Sequence, residues 1–212
     1  MPANPPDALL FITPGCPNCP AVLQGLSELV KQTAIGKLTV INAVAHPELA
    51  VKYGVRAAPW LKLGPFTLTG AHTLAELRQW VDWSDGDEGV TQYVEHLLNE
   101  GGFKQAGLFI AENTQRLKPL LAIVANPEKS IEVRVGVDAL LEAYSNTPPL
   151  QELLPQLAEL TRDADHRVRA DACNLLGLSG SPAARAYLEI CLKDASEEVR
   201  EIAAESLALL NK

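Results

Sequence analysis

Apolar positions in the first third of the chain follow two patterns in alternation. Ala8-Leu9-Leu10-Phe11-Ile12-Thr13 is an unbroken run stopped by Pro14-Gly15, and a short run bounded by turn residues predicts a buried strand. Behind Cys16-Pro17-Asn18-Cys19-Pro20, the residues Val22, Leu23, Leu26, Leu29 and Val30 recur at helical spacing. Pro17 suits the first helical position, where the missing N–H costs nothing, and Gly36 is expected to close the helix. Residues 38–44 read as a second buried strand, and residues 47–53 as a short helix stopped by Gly54. Two short strands, 60–63 and 66–68, flank the turn signal Gly64-Pro65. Thr73 followed by Glu76 forms a capping box for a last helix carrying Leu74, Leu77, Trp80 and Val81. The order βαβαββα predicts an α/β unit whose sheet is covered by helices.

Beyond Trp83 the pattern changes. Ser84-Asp85-Gly86-Asp87-Glu88-Gly89 reads as a short acidic linker, and only helical periodicity follows. The expected helices are 90–99, 103–112, 114–125, 131–145, 150–161, 166–176, 182–193 and 197–210. Val133-Arg134, Val168-Arg169 and Val199-Arg200 each open an Ala/Leu-rich helix, and acidic turns precede the last two. Small residues follow the later pairs, Ala172 and Cys173 in one copy and Ala203 and Ala204 in the next. Small residues allow helices to approach, Val and Leu fill the seam, and Arg can bond the preceding turn. One such unit cannot bury its apolar face, so stacking is required. The last two copies are the clearest, a third lies near 114–145, and helices within 90–112 read as a degenerate first copy. Cys173 and Cys191 both fall where the pattern wants a small or apolar buried residue. The alternative is an internal disulfide between them, an acceptor served by Cys16, which requires α-carbons within about 7 Å.

Composition narrows the function classes. With 47% hydrophobic and 21% charged residues, the 212-residue chain is globular and long enough for two small domains. The net charge of −8 argues against nucleic acid or an anionic membrane surface as the main partner. Up to Trp83 there are 6 basic and 5 acidic residues, so almost all the negative charge lies in the helical part. Met1-Pro2-Ala3-Asn4-Pro5-Pro6-Asp7 lacks the positive, then apolar, pattern of a secretory signal. The uncharged stretch 8–27 is broken by Pro14, Gly15, Pro17 and Pro20, so no spanning helix is expected. A cytoplasmic protein is the default, and four cysteines are too few for a disulfide scaffold.

A CxxC between a strand and a helix has a specific chemical logic. The first thiol sits near the helix N-terminus, where unpaired N–H groups and the dipole favour thiolate. The second, one turn along, can attack a mixed disulfide formed by the first. Two other readings are open: inert thiols that fall three apart by chance, and half of a zinc site. Zinc needs two more ligands, and the front part offers only His46 and His72. The strand–CxxC–helix context favours redox chemistry, which requires no organic cofactor and no metal.

Residues 37–40, Lys-Leu-Thr-Val, and 52–61, Lys-Tyr-Gly-Val-Arg-Ala-Ala-Pro-Trp-Leu, resemble the second strand and the helix-to-cis-proline stretch of thioredoxins. The short start and the Cys-Pro-Asn-Cys-Pro run are more similar to glutaredoxin-sized units, such as the N-terminal redox domain of the flavoprotein that reduces alkyl hydroperoxide peroxiredoxins. The resemblance covers about residues 7–83. It implies that Cys16 is the exposed nucleophile, Cys19 the buried resolving thiol, and Pro59 a cis-proline packed opposite them. The backbone of Ala58 then pairs with an extended substrate segment. A trans turn proline is the alternative for Pro59. Trp60 is either a core residue of the third strand or an aromatic wall beside the thiols. The helical part, in turn, resembles HEAT repeats, including the short bacterial kind grouped with bilin-lyase-like repeats, which implies protein binding.

Three departures from thioredoxins stand out. Leu10 replaces the buried acid on the first strand, Ile41-Asn42-Ala43 lacks the second-strand lysine, and Gly15 replaces the tryptophan before the first cysteine. Proton handling then falls to water or a substrate group. The reading is therefore a thioredoxin/glutaredoxin-like redox domain over 1–83, followed by a HEAT-like all-α solenoid over 84–212. Its catalytic candidates are Cys16 and Cys19, and its substrate-binding candidates are Pro17, Ala58, Pro59 and Trp60. Its partner is a protein bearing a disulfide; a protein-binding adaptor and a redox-switched scaffold are the alternatives.

Overall fold

The computed structural model describes residues 5–210. The reading of a missing secretory signal rests partly on residues 1–4, outside the described residues. The chain divides into two compact units, the first ending at Gly89 and the second beginning at Val90.

The first unit has the expected order: β1 (Ala8–Ile12), α1 (Cys19–Lys31), β2 (Leu38–Asn42), α2 (Pro47–Lys52), β3 (Trp60–Leu63), β4 (Phe66–Thr69) and α3 (Leu74–Asp82). The four strands form one mixed sheet in the order β2-β1-β3-β4. β1 runs parallel to β2 and antiparallel to β3, and β3 pairs with β4 through the turn at Gly64-Pro65. Leu10, Leu26, Leu29, Leu63 and Leu77 are completely buried and build the core between sheet and helices. At α3, Thr73 Oγ1 accepts from the Glu76 N–H (3.3 Å) while Glu76 Oε2 accepts from the Thr73 N–H (2.7 Å), so the capping box is closed.

Four expectations for this unit need correction. β2 is an edge strand, not a buried one: Thr39 and Val40 are exposed, because apolar continuity alone does not say whether a neighbour covers the face. It also ends at Asn42, whose side-chain oxygen accepts from the N–H groups of Val44 (2.9 Å) and Ala45 (3.4 Å) and turns the chain out of the sheet. Helix α1 starts at Cys19, so Pro17 lies before the helix and Pro20 occupies its first turn, where an absent N–H breaks no helical bond. It ends at Lys31, and Thr33, at φ 58°, makes the left-handed exit that was expected of Gly36.

The described helices after α3 are α4 (Asp87–Asn99), α5 (Phe103–Glu112), α6 (Leu117–Val124), α7 (Ile131–Glu142), α8 (Pro148–Gln151), α9 (Leu154–Leu160), α10 (His166–Leu178), α11 (Arg185–Cys191) and α12 (Glu197–Leu209). The acidic stretch 84–89 is not all linker: Asp87 and Glu88 form the first turn of α4, where the helix dipole favours them. The segment expected as helix 150–161 is divided into α8 and α9. Pro155, near the start of α9, cannot donate to the Gln151 carbonyl, so the helix cannot run through. The starts of 114–125 and 182–193 are 3₁₀ turns, Thr114–Arg116 and Pro182–Ala184.

The repeat logic is visible in the closest helix pair, α10 and α12. Val168, Ala172 and Cys173 on α10 and Val199 and Ala203 on α12 are completely buried. Ala204, expected beside Ala203 in the seam, faces out. Arg169 donates to the carbonyls of Asp163 (2.9 Å) and Ala164 (3.1 Å), and Arg200 repeats the arrangement on Asp194 (2.8 Å) and Ala195 (3.1 Å). Each arginine thus satisfies two carbonyls at the preceding turn, which would otherwise be unpaired. Arg134, in the third copy, instead reaches the Asp171 carboxylate of the next.

Candidate active site

The site is assembled at the C-terminal end of β1. The β1–β3 register pairs Phe11 with Trp60, so the next step of the antiparallel ladder brings Pro59 level with Ile12. From there the chain turns sharply, with the Cys16 N–H donating to the Thr13 carbonyl (3.2 Å), and enters α1 at Cys19. Sheet register therefore sets the Ala58-Pro59 turn beside the strand end from which the cysteine loop emerges.

Cys16 and Cys19 are joined as a disulfide with α-carbons 5.5 Å apart. Cys16 is half-buried and Cys19 buried, the asymmetry expected of an attacking and a resolving thiol. The Cys19 backbone N–H donates to Cys16 Sγ at 3.1 Å. This amide opens α1 and has no helical acceptor, so it is aimed at the sulfur on which negative charge develops once the pair is reduced. Pro17 and Asn18, between the cysteines, are exposed.

The Ala58–Pro59 peptide bond is cis, as the resemblance implies. Pro59 is buried, and its carbonyl accepts from the Gly70 N–H at 3.0 Å. Among the described residues, no backbone partner is found for the N–H or C=O of Ala58. A strand-like peptide could satisfy both.

The family model for a thioredoxin domain matches residues 9–82, and the one for HEAT repeats matches residues 117–208. A thioredoxin from Methanocaldococcus jannaschii is 32% identical over 66 residues, 30% of this chain and 78% of the relative. The chain belongs to the thioredoxin family. Its thioredoxin domain carries the Cys16–Cys19 pair, and HEAT repeats follow it. This combination suggests a thiol–disulfide redox role and protein interactions in general.

Within the thioredoxin domain, Trp60 is not a surface wall. It is 6% exposed and packs edge-on against Phe11, ring centroids 5.5 Å apart, with Tyr53 at 6.0 Å. Tyr53, in turn 5.6 Å from Phe11, completes an aromatic trio that sequence reading passed over as part of a short helix. Leu10, at the position of the absent acid, is fully buried on β1. In the repeats, sequence reading treated Cys173 and Cys191 separately as core residues, with their pairing only as the alternative. The structure makes their thiols neighbours. No helix among the described residues is long and apolar enough to cross a membrane.

Proposed function

We propose that this protein is a thiol–disulfide oxidoreductase acting on a protein disulfide, with the HEAT repeats recruiting or orienting that partner. The observation that carries the reading is the Cys19 N–H directed at Cys16 Sγ, on a sulfur more exposed than its partner. In the reduced protein, the Cys16 thiolate attacks one sulfur of the partner's disulfide and expels the other as a thiolate. Cys19 then loses its proton and attacks Cys16 Sγ. The Cys16–Cys19 bond forms, the mixed disulfide breaks, and the partner leaves with two thiols and the two electrons. With Leu10 where an acid would stand, the Cys19 proton goes to water or to the substrate.

Substrate contacts fall to Pro17 beside the attacking sulfur and to the open backbone of Ala58 before Pro59. Trp60 forms the buried support under that turn. We take the cytoplasm as its compartment, because a dithiol cycle together with two further free thiols suits reducing surroundings.

The test is trapping on a Cys19→Ser variant. The mixed disulfide on Cys16 should persist, and the trapped protein should be released by reductant. If the wild-type pair exchanges with neither glutathione nor a disulfide-bearing protein, the enzyme reading fails. A binding adaptor is then the better account, favoured by the apolar Leu10 at the proton-handling position.

A further inference from the structure

One pair of nucleophilic side chains lies outside the CxxC loop. Cys173 is in the middle of α10 and Cys191 is the last residue of α11, and both are free thiols. Their thiols are neighbours across the α10–α11 contact. Their access differs. Cys173 is 0% exposed, whereas Cys191 is 4% exposed and lines an open cleft together with Thr161, Ile190, Lys193 and Asp194. Two cysteines serving only as small core residues require neither mutual contact nor an opening to solvent.

We propose that Cys173 and Cys191 are a second, oxidisable dithiol whose co-reactant is a low-molecular-weight disulfide entering through the cleft at Cys191. The Cys191 thiolate attacks one sulfur of the small disulfide, forms a mixed disulfide and releases a small thiolate. Cys173 then loses its proton and attacks Cys191 Sγ, expelling the second small thiolate. Two protein thiols give up two electrons and two protons, and the small disulfide becomes two thiols. The product is a covalent link between α10 and α11 that closes the chain from 173 to 191.

The order of attack follows from the surroundings. Cys191 lines the cleft, whereas Cys173 is completely buried in the middle of α10. The charged groups facing the pair are the Arg169 guanidinium, which favours a thiolate, and the Asp194 carboxylate, which opposes it; they are paired with each other at 2.7 Å. Cys191 is thus the accessible thiol, as attack on an incoming disulfide requires.

The experiment uses the full chain carrying Cys16→Ser and Cys19→Ser, so its outcome is independent of the CxxC reading. The folded protein is exposed to glutathione disulfide, quenched with acid, alkylated and mapped by mass spectrometry. One internal Cys173–Cys191 disulfide is expected, together with a higher thermal midpoint for the repeats. Adding Cys173→Ser should leave glutathione held on Cys191. Adding Cys191→Ser should slow modification of Cys173 at least about tenfold in the folded protein. The proposal is overturned if both thiols stay free in the folded protein over a period in which the same reagent modifies them in denaturant. It is equally overturned if glutathione remains on Cys191 beside a free Cys173. The first readout changes neither cysteine, so a folding defect in a serine variant does not decide the matter.

Discussion

At the scale of single residues, the clearest energetic signal outside the thiols is Asp138 on α7. Burial pushes its carboxyl up to about 6, with Asp171 adding repulsion and Arg134 pulling the other way. A carboxyl whose folded value exceeds its unfolded one contributes stability that is complete below about pH 4. That contribution is lost as pH rises through about 6, because the folded state must then hold a poorly solvated charge. Asp138→Asn removes the charge and keeps the shape. In denaturant unfolding, the variant should match the wild type near pH 4 and exceed it by about 1–3 kcal/mol at pH 7.5. A difference that does not change with pH would assign the residue a packing role only. Nothing in the chain's periodicity marks Asp138, since it sits among Val135, Val137 and Ala139 as an ordinary polar position. Its shift comes first from burial and then from Asp171 on α10, which only packing brings about. The cysteine pair is the opposite case: its meaning was legible because strand, CxxC and helix are contiguous.

At the scale of elements, α10 meets α12 tightly at Gly177. A methyl group there would lie 2.5 Å from Ser206 Cβ and 2.8 Å from its Cα, distances that force the helix backbones apart. Alanine is the better helix former by about 1 kcal/mol, but overpacking a tight seam costs about 1–3 kcal/mol. Gly177→Ala should therefore lower the thermal midpoint of the repeats, and an unchanged or raised midpoint would mean that the seam yields freely. Gly89 shows the same logic in the first unit, where an added Cβ would fall 1.7 Å from the Trp83 carbonyl oxygen. This explains why a boundary drawn at Trp83 from a change in composition differs from the compact unit, which extends to Gly89. Composition records where the apolar pattern changes; packing records where the chain stops touching what came before.

At the scale of the molecule, charge and chemistry are divided between the two units. The redox loop belongs to a nearly neutral unit, and the acidic excess lies in the repeats, so a partner selected by charge would be selected there. A fragment ending at Gly89 should retain exchange with a small disulfide. It should trap the protein partner about tenfold more slowly or worse than the full chain, because recruitment acts through effective concentration. Raising the salt concentration should narrow that gap by screening the acidic surface. Equal trapping by fragment and full chain would leave the repeats without a role in recruitment.

The sequence by itself determined the element order of the first unit, the repeat period of the second and the placing of the Cys16–Cys19 pair between a strand and a helix. All three depend on residues close together in the chain, through turn chemistry, helical periodicity and the i, i+3 spacing. Tertiary structure decided the rest. It made β2 an edge strand, buried Trp60 against Phe11 and Tyr53, started α1 at Cys19, and brought the free thiols of Cys173 and Cys191 together. Each of these depends on which surfaces meet, and local pattern carries no information about what covers a face.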